Sequence, residues 1–229
     1  MKPSLVIFGV SNILSDVFDC ALANGLDIAK VVRDLPEETG ERDKSVAERI
    51  AALAPLGQYP GVEDLDEFQP QDGELYILGP TTPTRAALAS KLERLFGLTF
   101  ATLVHPTAFV SPLASLSPGV FVGANSVIGP GARLAPHVFI NRGVTVGHDT
   151  QIGAFSRLQP GSNVGGLSVY GRGVTIGIGA TVIERVIIGD NAFVGAGAVA
   201  LSDIPPNVLV VGIPAKVIKT LKANDALAG

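Results

Sequence analysis

The hydrophobic pattern changes period once along this chain. From Val104 every sixth residue is aliphatic: Val104, Val110, Leu116, Val122, Ile128, Leu134, Ile140, Val146, Ile152, Leu158 and Val164, then Ile176, Val182, Ile188 and Val194. Tyr170 and Ala200 hold the same phase. Glycine often follows the aliphatic, as at 123, 129, 147, 153, 165, 171, 177, 189 and 195. Four places after each aliphatic stands a small or β-branched residue, from Ala108, Ala114 and Val120 through to Ala192 and Ala198. The third place is commonly Gly, Asn or Asp, which tolerate a left-handed backbone. In a short strand the aliphatic and the small residue two before it face the same side, and two turn residues then bend the chain. Three such hexads make a coil of about 18 residues, and stacked coils bury a continuous aliphatic column. A helix would show a period of about 3.6, and hairpin strands would not hold phase over this length. The pattern predicts a β-solenoid over 103–216 and by itself says nothing of chemistry.

Residues 1–102 alternate strand and helix signals instead. SLVIFG (4–9) reads as a buried strand. Ser11 is placed to cap a helix whose apolar residues Ile13, Leu14, Val17, Phe18, Ala21 and Leu22 recur at helical spacing, ending at Gly25. IAKVVRD (28–34) is the next strand, Ser45 and Glu48 form a capping box ahead of VAERIAALA, and ELYILG (74–79) is a further strand. Thr82 and Pro83 open a helix running to about Phe96. The fold class is therefore α/β plus an all-β solenoid: a small parallel-sheet, Rossmann-like domain, then the solenoid, then a tail over 217–229. The strands end at Gly9, Asp34 and Gly79, and ligands of such sheets collect at the carboxyl ends of strands. The first turn, Gly9-Val10-Ser11-Asn12, lacks the second and third glycines of a dinucleotide fingerprint. A phosphate can still rest on the N-terminus of the helix that starts near Ser11.

Composition sharpens this picture. Of 229 residues, 47% are hydrophobic but only 6% aromatic, with 27 Gly and no Trp, as suits a repetitive core of small branched residues. The net charge of −4 comes without a basic block, which argues against a nucleic-acid partner. No apolar stretch is long enough for a span and the N-terminus lacks a basic-then-apolar signal, so the expectation is a soluble cytoplasmic protein without a membrane partner. Cys20 is the single cysteine, which rules out an intramolecular disulfide, and DVFDCALA places it in a helix as a small buried residue.

Three histidines limit the acid–base candidates. The hexad phase puts His148 and Asp149 on the two turn residues of one corner, pointing outward. Residues one coil apart stack, so Pro130, His148, Gly166 and Glu184 share that edge, and Gly166 leaves it open beside His148 for a long, thin ligand to pass. Taken alone, His148 reads as a solvated turn histidine. His105 begins the first coil and reads as a joint between the domains. His137 falls in another corner column and reads as solvated. The three occupy different columns, so no metal site is expected.

The [LIV]-G-x-x-x-x hexapeptide, the ending VVGIPAKVIK (210–219) and the α/β domain in front resemble bacterial sugar-nucleotide N-acetyltransferases. Those enzymes acetylate the 4-amino group of UDP-bacillosamine precursors or GDP-perosamine, and the sialic acid O-acetyltransferases are close to them. The resemblance covers residues 4 to 219. It implies a left-handed parallel β-helix, a hand that the usual preference for right-handed crossovers would not predict. It further implies acetyl-CoA as acyl donor with no metal, a nucleotide-linked amino sugar as acceptor, a place in glycan biosynthesis, and a homotrimer with CoA in the groove between adjacent β-helices.

The family motif of Asn, a His–Asp or His–Glu pair and Ile-Gly is matched by Asn141, His148, Asp149, Ile152 and Gly153. The resemblance makes His148 the general base, suited by an imidazole pKa of about 6.5, and Asp149 its orienting partner. It places an oxyanion donor at the Gly79 N–H in ILGPTTPTR, although Pro80 follows where the family usually has Asp; a plain strand-ending glycine is the alternative. Gly9, Ser11, Asn12 and Thr81 fall on the nucleotide-sugar turns, Asp34 meets the base or ribose, and Asn141 adds an acceptor contact. Gly166, Ile178 and Gly179 match positions along the CoA groove. Arg157 stands where the family often has a second His against CoA, and reads as a CoA contact or a surface arginine. Lys216 and Lys219 meet CoA phosphates or are simply solvated. Sugar O-acetylation and a non-catalytic solenoid scaffold are the competing functions, and the nucleotide, sugar and acyl length stay open.

Overall fold

The structure, a computed structural model, describes residues 3–221. Strands β1 (Ser4–Phe8), β2 (Asp27–Arg33), β3 (Gly61–Asp64) and β4 (Glu74–Leu78) form one parallel sheet in the order β3-β2-β1-β4. Helices α1 (Leu14–Ala23) and α2 (Val46–Ala51) pack on the face carrying Leu5 and Ile7. Helix α3 (Arg85–Phe96) packs on the face carrying Val6 and Phe8. Alternate residues of β1 thus feed two cores, as the two-residue period of a strand requires. Neighbouring strands β1 and β4 send their helices to opposite faces, so their carboxyl ends flank the switch point of the sheet. Edge strand β3, Gly-Val-Glu-Asp, carries no alternation that would announce it in sequence.

The Ser45–Glu48 capping box forms as expected. The other two helix starts differ. The Ser11 hydroxyl donates to the Gly79 carbonyl (2.9 Å) instead of capping α1, which locks the turn after β1 to the turn after β4. Helix α3 begins at Arg85, and the Thr82 and Thr84 hydroxyls bond each other at 2.7 Å.

From Leu103 the chain winds into three parallel sheets. Arg133 pairs with Gln151, Thr145 with Asn163 and Phe139 with Arg157, each one coil along. The aliphatic column is buried from Val122 onward and partly buried at Val104, Val110 and Leu116, with Tyr170 in the same row at 2% exposure. The third place of most hexads has positive φ, including the non-glycine residues Asn125, His137, Asp149, Phe155, Leu167, Arg185 and Asn191. Inner hydroxyls cross-link coils: Ser156 donates to Gly171 O (3.0 Å) and accepts from Val174 N (3.0 Å). The residue two places after each aliphatic makes no ladder bond through its N–H, so prolines 106, 112, 118, 130, 136 and 160 fit there without loss. The sheet continues past 216: Val208–Val211 pairs antiparallel with Lys216–Thr220.

The α/β domain lies on the outer face of one sheet, the one that includes 103–104, 121–122, 139–140, 157–158 and 175–176. Leu103, Phe121 and Phe139 join Leu14, Val17 and Phe18 in one core, and the Phe121 and Phe139 rings stack with centroids 4.7 Å apart. Asp16 pairs with Arg142, and His105 Nε2 lies 3.6 Å from Asp19, at the joint where its position suggested. His137 is not solvated. It is 5% exposed, stacked on Phe155 (4.8 Å) and edge-on to Phe100 (4.7 Å). The docked domain covers a corner that would otherwise face water.

Burial, and then the charges of Arg85 and Arg172, push the His137 imidazole down to about 4. In the unfolded chain it protonates at about 6.5. The unfolded state therefore binds more protons between those values, so the stability is present in full above pH 6.5 and is lost as pH falls toward 4. We expect roughly 3 kcal/mol of acid-side loss from this group. Urea unfolding at pH 7 and pH 4.5 checks it: His137→Phe, which keeps a stacked ring, should flatten that part of the pH dependence.

Candidate functional site

The candidate residues fall in two separate places. The first is a crevice of about 670 Å³ at the switch point, lined by Val10, Ser11, Asn12, Asp34, Pro80, Thr84 and Arg85 among others. Sheet topology creates it, since the turns after β1 and β4 diverge there. The N–H groups of Val10, Ser11, Asn12, Ile13, Thr81, Thr82 and Thr84 have no backbone acceptor among the described residues, which suits an anionic ligand. The Asn12 amide is held at both ends, donating to Asp43 (2.8 Å) and accepting from Arg49 (3.2 Å). Acidic side chains from the loop after β2, Asp34, Glu37, Glu38 and Asp43, form the rim with Lys44. A second open groove, about 680 Å³, shares Asp34 and runs toward Arg33, Asp64 and Lys91.

The second place is the corner bearing His148 and Asp149. Asp149 Oδ2 lies 2.9 Å from His148 Nδ1, and both side chains are half exposed. That contact leaves Nε2 as the outward nitrogen. Glycines bracket the pair along the stack. A Cβ on Gly131, one coil before, would collide with Asp149 Oδ1, and a Cβ on Gly166, one coil after, would come 2.7 Å from His148 Nε2. Gly131 is a further site residue. Sequence could have found it, because it precedes Asp149 by one coil. The Gly166 N–H has no acceptor among the described residues.

Other expected residues lie elsewhere. The Gly79 N–H donates to Phe8 O at 2.8 Å, so it is not free to serve an oxyanion. A side chain at Gly79 would strike the Gly9 carbonyl, and that close approach explains the glycine. Gly9, with φ of 82°, ends β1 and donates to Val32 O. The Thr81 carbonyl accepts from Arg85. Asn141 is buried, its amide spent on Arg142 N (2.8 Å) and Gln159 (3.3 Å), beside a small cavity between the domains rather than beside His148. Arg157 does point outward from its strand, but the α/β domain covers that sheet; it is 3% exposed, bonded to Thr175 at 3.1 Å, and is neither a surface arginine nor open to CoA. Ile178 and Gly179 sit exposed on the corner that follows the covered sheet, and Lys216 lies on the exposed final strand. His105, His137 and His148 occupy three different corners, and among the described residues no cluster of three or more His, Cys, Asp or Glu side chains could hold a metal.

Comparison with known proteins places this architecture. No family model matches the chain. The serine acetyltransferase of Buchnera aphidicola is 46% identical over 50 residues, and the galactoside O-acetyltransferase of Escherichia coli 42% over 50 residues. These matches span about a fifth to a quarter of the relatives' length (19% and 25%) and 22% of this chain. Solved structures match along nearly the whole chain. A variant of the GDP-perosamine N-acetyltransferase of Caulobacter crescentus, in complex with CoA and GDP-perosamine, aligns with TM-score 0.75 and 27% identity over 94% of this chain and 97% of that one. The acetyltransferase domain of PglB from Neisseria gonorrhoeae, in complex with acetyl coenzyme A, aligns with TM-score 0.79 and 25% identity over 95% and 100%. The chain has the left-handed β-helix fold of the hexapeptide-repeat acetyltransferases.

In this β-helix the bracket around the His–Asp pair can be tested without a substrate. Gly131→Ala should cost about 1–2 kcal/mol in a urea melt for its left-handed backbone and also break the Asp149–His148 contact, read as a changed ¹⁵N tautomer pattern of His148. Gly143 is the control, since it has similar φ but open space where a Cβ would go. Gly143→Ala should cost the same stability and leave the His148 signals alone.

Proposed function

We propose that this chain is an acetyl-CoA-dependent N-acetyltransferase acting on a nucleotide-linked amino sugar. The observation that carries the reading is the hydrogen-bonded His148–Asp149 pair, bracketed by Gly131 and Gly166 on an open corner of a β-helix. Solved proteins of the same fold carry CoA and GDP-perosamine. The switch-point crevice, with its free N–H groups, is the acceptor's nucleotide site, using Ser11, Asn12 and Asp34, with Gly9 shaping the turn behind them.

Transfer is direct. His148 Nε2 accepts a proton as the sugar nitrogen attacks the thioester carbonyl, and Asp149 stabilises the imidazolium through Nδ1. The carbonyl oxygen gains charge and needs a donor. The Gly166 N–H, unbonded in the residue that the imidazole overlies one coil along, takes that role in place of Gly79. Collapse breaks the C–S bond and the thiolate leaves with the proton. Gly166 on the His148 corner, Ile178 and Gly179 on the corner after the covered sheet, and Lys216 on the final strand are the donor's contacts, so the donor lies between two copies.

The site requires more than one copy. The α/β domain covers one face of the three-sided β-helix, and His148 sits at the opposite corner, between the other two sheets. Within a single chain the crevice and the base stay apart. A homotrimer brings the corner of one copy to the crevice of another. Exposed Phe109 and Val127 on one uncovered sheet, and Val169 and Ile187 on the other, supply apolar contact surface.

Thiol release from acetyl-CoA, measured against UDP-, GDP- and dTDP-linked 4-amino sugars, tests the reading. His148→Asn should fold and bind CoA but lose roughly 10²–10⁴ in turnover. The galactoside O-acetyltransferase relative favours a hydroxyl acceptor as the second reading. Release with the matching 4-hydroxy sugars, run as a second panel, and none with the amino sugars would establish that one. Full activity in His148→Asn would remove His148 from the mechanism.

A further inference from the structure

Arg85 has an unusual place. It opens α3, lines the crevice, and is buried at 4% exposure. Its guanidinium donates to the carbonyls of Thr81 and Thr82 (3.0 Å) beside it, and to those of His137 and Ser156 (3.3 Å) on the β-helix. Phe155 lies under it at 5.7 Å. No carboxylate forms a salt bridge with it among the described residues. The charged group that acts on it most is another cation, Arg157. Burial and then that cation lower its pKa to about 9, so it stays charged at neutral pH. A buried cation without a counter-ion is costly. Carbonyl dipoles offset part of the cost but do not neutralise the charge.

The crevice above has the opposite character at its rim, where Asp34, Glu37, Glu38 and Asp43 outnumber Lys44. That rim alone would repel a nucleotide. We propose that Arg85 is a fixed, unneutralised positive charge beneath the crevice that selects ligands carrying a phosphate or diphosphate there. Both Nη groups are committed to main-chain carbonyls, so the charge acts on the ligand chiefly through space. The acidic rim is left to hydroxyl and N–H donors of the rest of the ligand. This inference rests on the reading of the crevice as the nucleotide site. Arg85 supplies binding energy and selectivity and takes no part in the acyl transfer.

The test compares UDP, GDP and dTDP with uridine, guanosine and thymidine, by calorimetry and, for weak binders, ligand-observed NMR. Wild type should prefer the diphosphate of whichever nucleoside it binds. Arg85→Gln should weaken the diphosphate roughly ten- to hundredfold, as loss of one charge at short range implies, while changing nucleoside affinity little. Arg85→Lys keeps the charge but not the fork of donors, and should retain most of the preference. Equal loss in both variants would make Arg85 a strut and overturn the inference, as would an unchanged preference in Arg85→Gln. If Arg85→Gln does not fold, a salt series on wild type decides: a preference set by a buried charge persists at high salt, and one set by exposed Lys44 collapses. A wild type that binds none of the six compounds overturns the crevice reading itself, an outcome separate from a failed variant comparison.

Discussion

The parallel register between coils is the constraint on which the rest depends. Each residue pairs with its equivalent one turn of the β-helix away, as Phe139 does with Phe121 and Arg157. Strands in such a ladder stand about 4.8 Å apart, so a side chain on the surface always has a neighbour directly above and below. Position in the hexad then decides most of what a residue does within the β-helix. It sets whether the side chain enters the core, whether its φ is positive, and whether its N–H is used. Functional groups on this scaffold come in columns, and a column is shaped as much by its neighbours as by its reactive member.

The same logic explains how the α/β domain is fixed in place. The outward residues of the covered sheet run Leu103, Phe121, Phe139, Arg157 and Thr175, all buried. The uncovered sheets present Thr145, Asn163, Arg133 and Gln151 at equivalent places. At the adjoining corner, His137 and Phe155 occupy left-handed positions at φ of 59° and 60°. A side chain there costs about 1–2 kcal/mol relative to glycine. Ring stacking and burial beneath the docked domain offset that strain. Arg85 then ties the turn after β4 to two carbonyls of this corner, so the crevice wall and the β-helix are one connected unit.

Much of this was legible in the sequence, and the failures share one cause. The hexad phase, the strand–helix alternation and the exposed corner at His148 are local or periodic features, and periodicity reports them directly. What one element does to another is not periodic. Arg157 follows the outward phase but is covered by a domain the phase knows nothing of. His137 has the turn position of a solvated residue and lies beneath Phe100 and Phe155. The glycine at 79 is required by the approach of the Gly9 carbonyl, a contact between two turns far apart in sequence. A sharper reading was available at one point. Bulky residues in a column that favours Gly, Asn and Asp, together with two phenylalanines one coil apart on an outward phase, mark a docked surface.

The glycines around His148 set this corner apart from the others. A histidine on a stacked corner would ordinarily press on side chains one coil away in both directions. Here the imidazole lies over Gly166, and the carboxylate of Asp149 lies over Gly131. The pair therefore extends along the stack rather than away from it, and the 2.9 Å contact is made between adjacent residues whose backbone is already fixed, with Asp149 at φ of 55°. Little conformational freedom is left to lose when a ligand arrives, which is the condition for an acid–base pair to act at full strength. Gly166 is buried beneath the imidazole, and its N–H, like others two places after an aliphatic, is used by no coil. The imidazole thus occupies the space that a Cβ on Gly166 would fill.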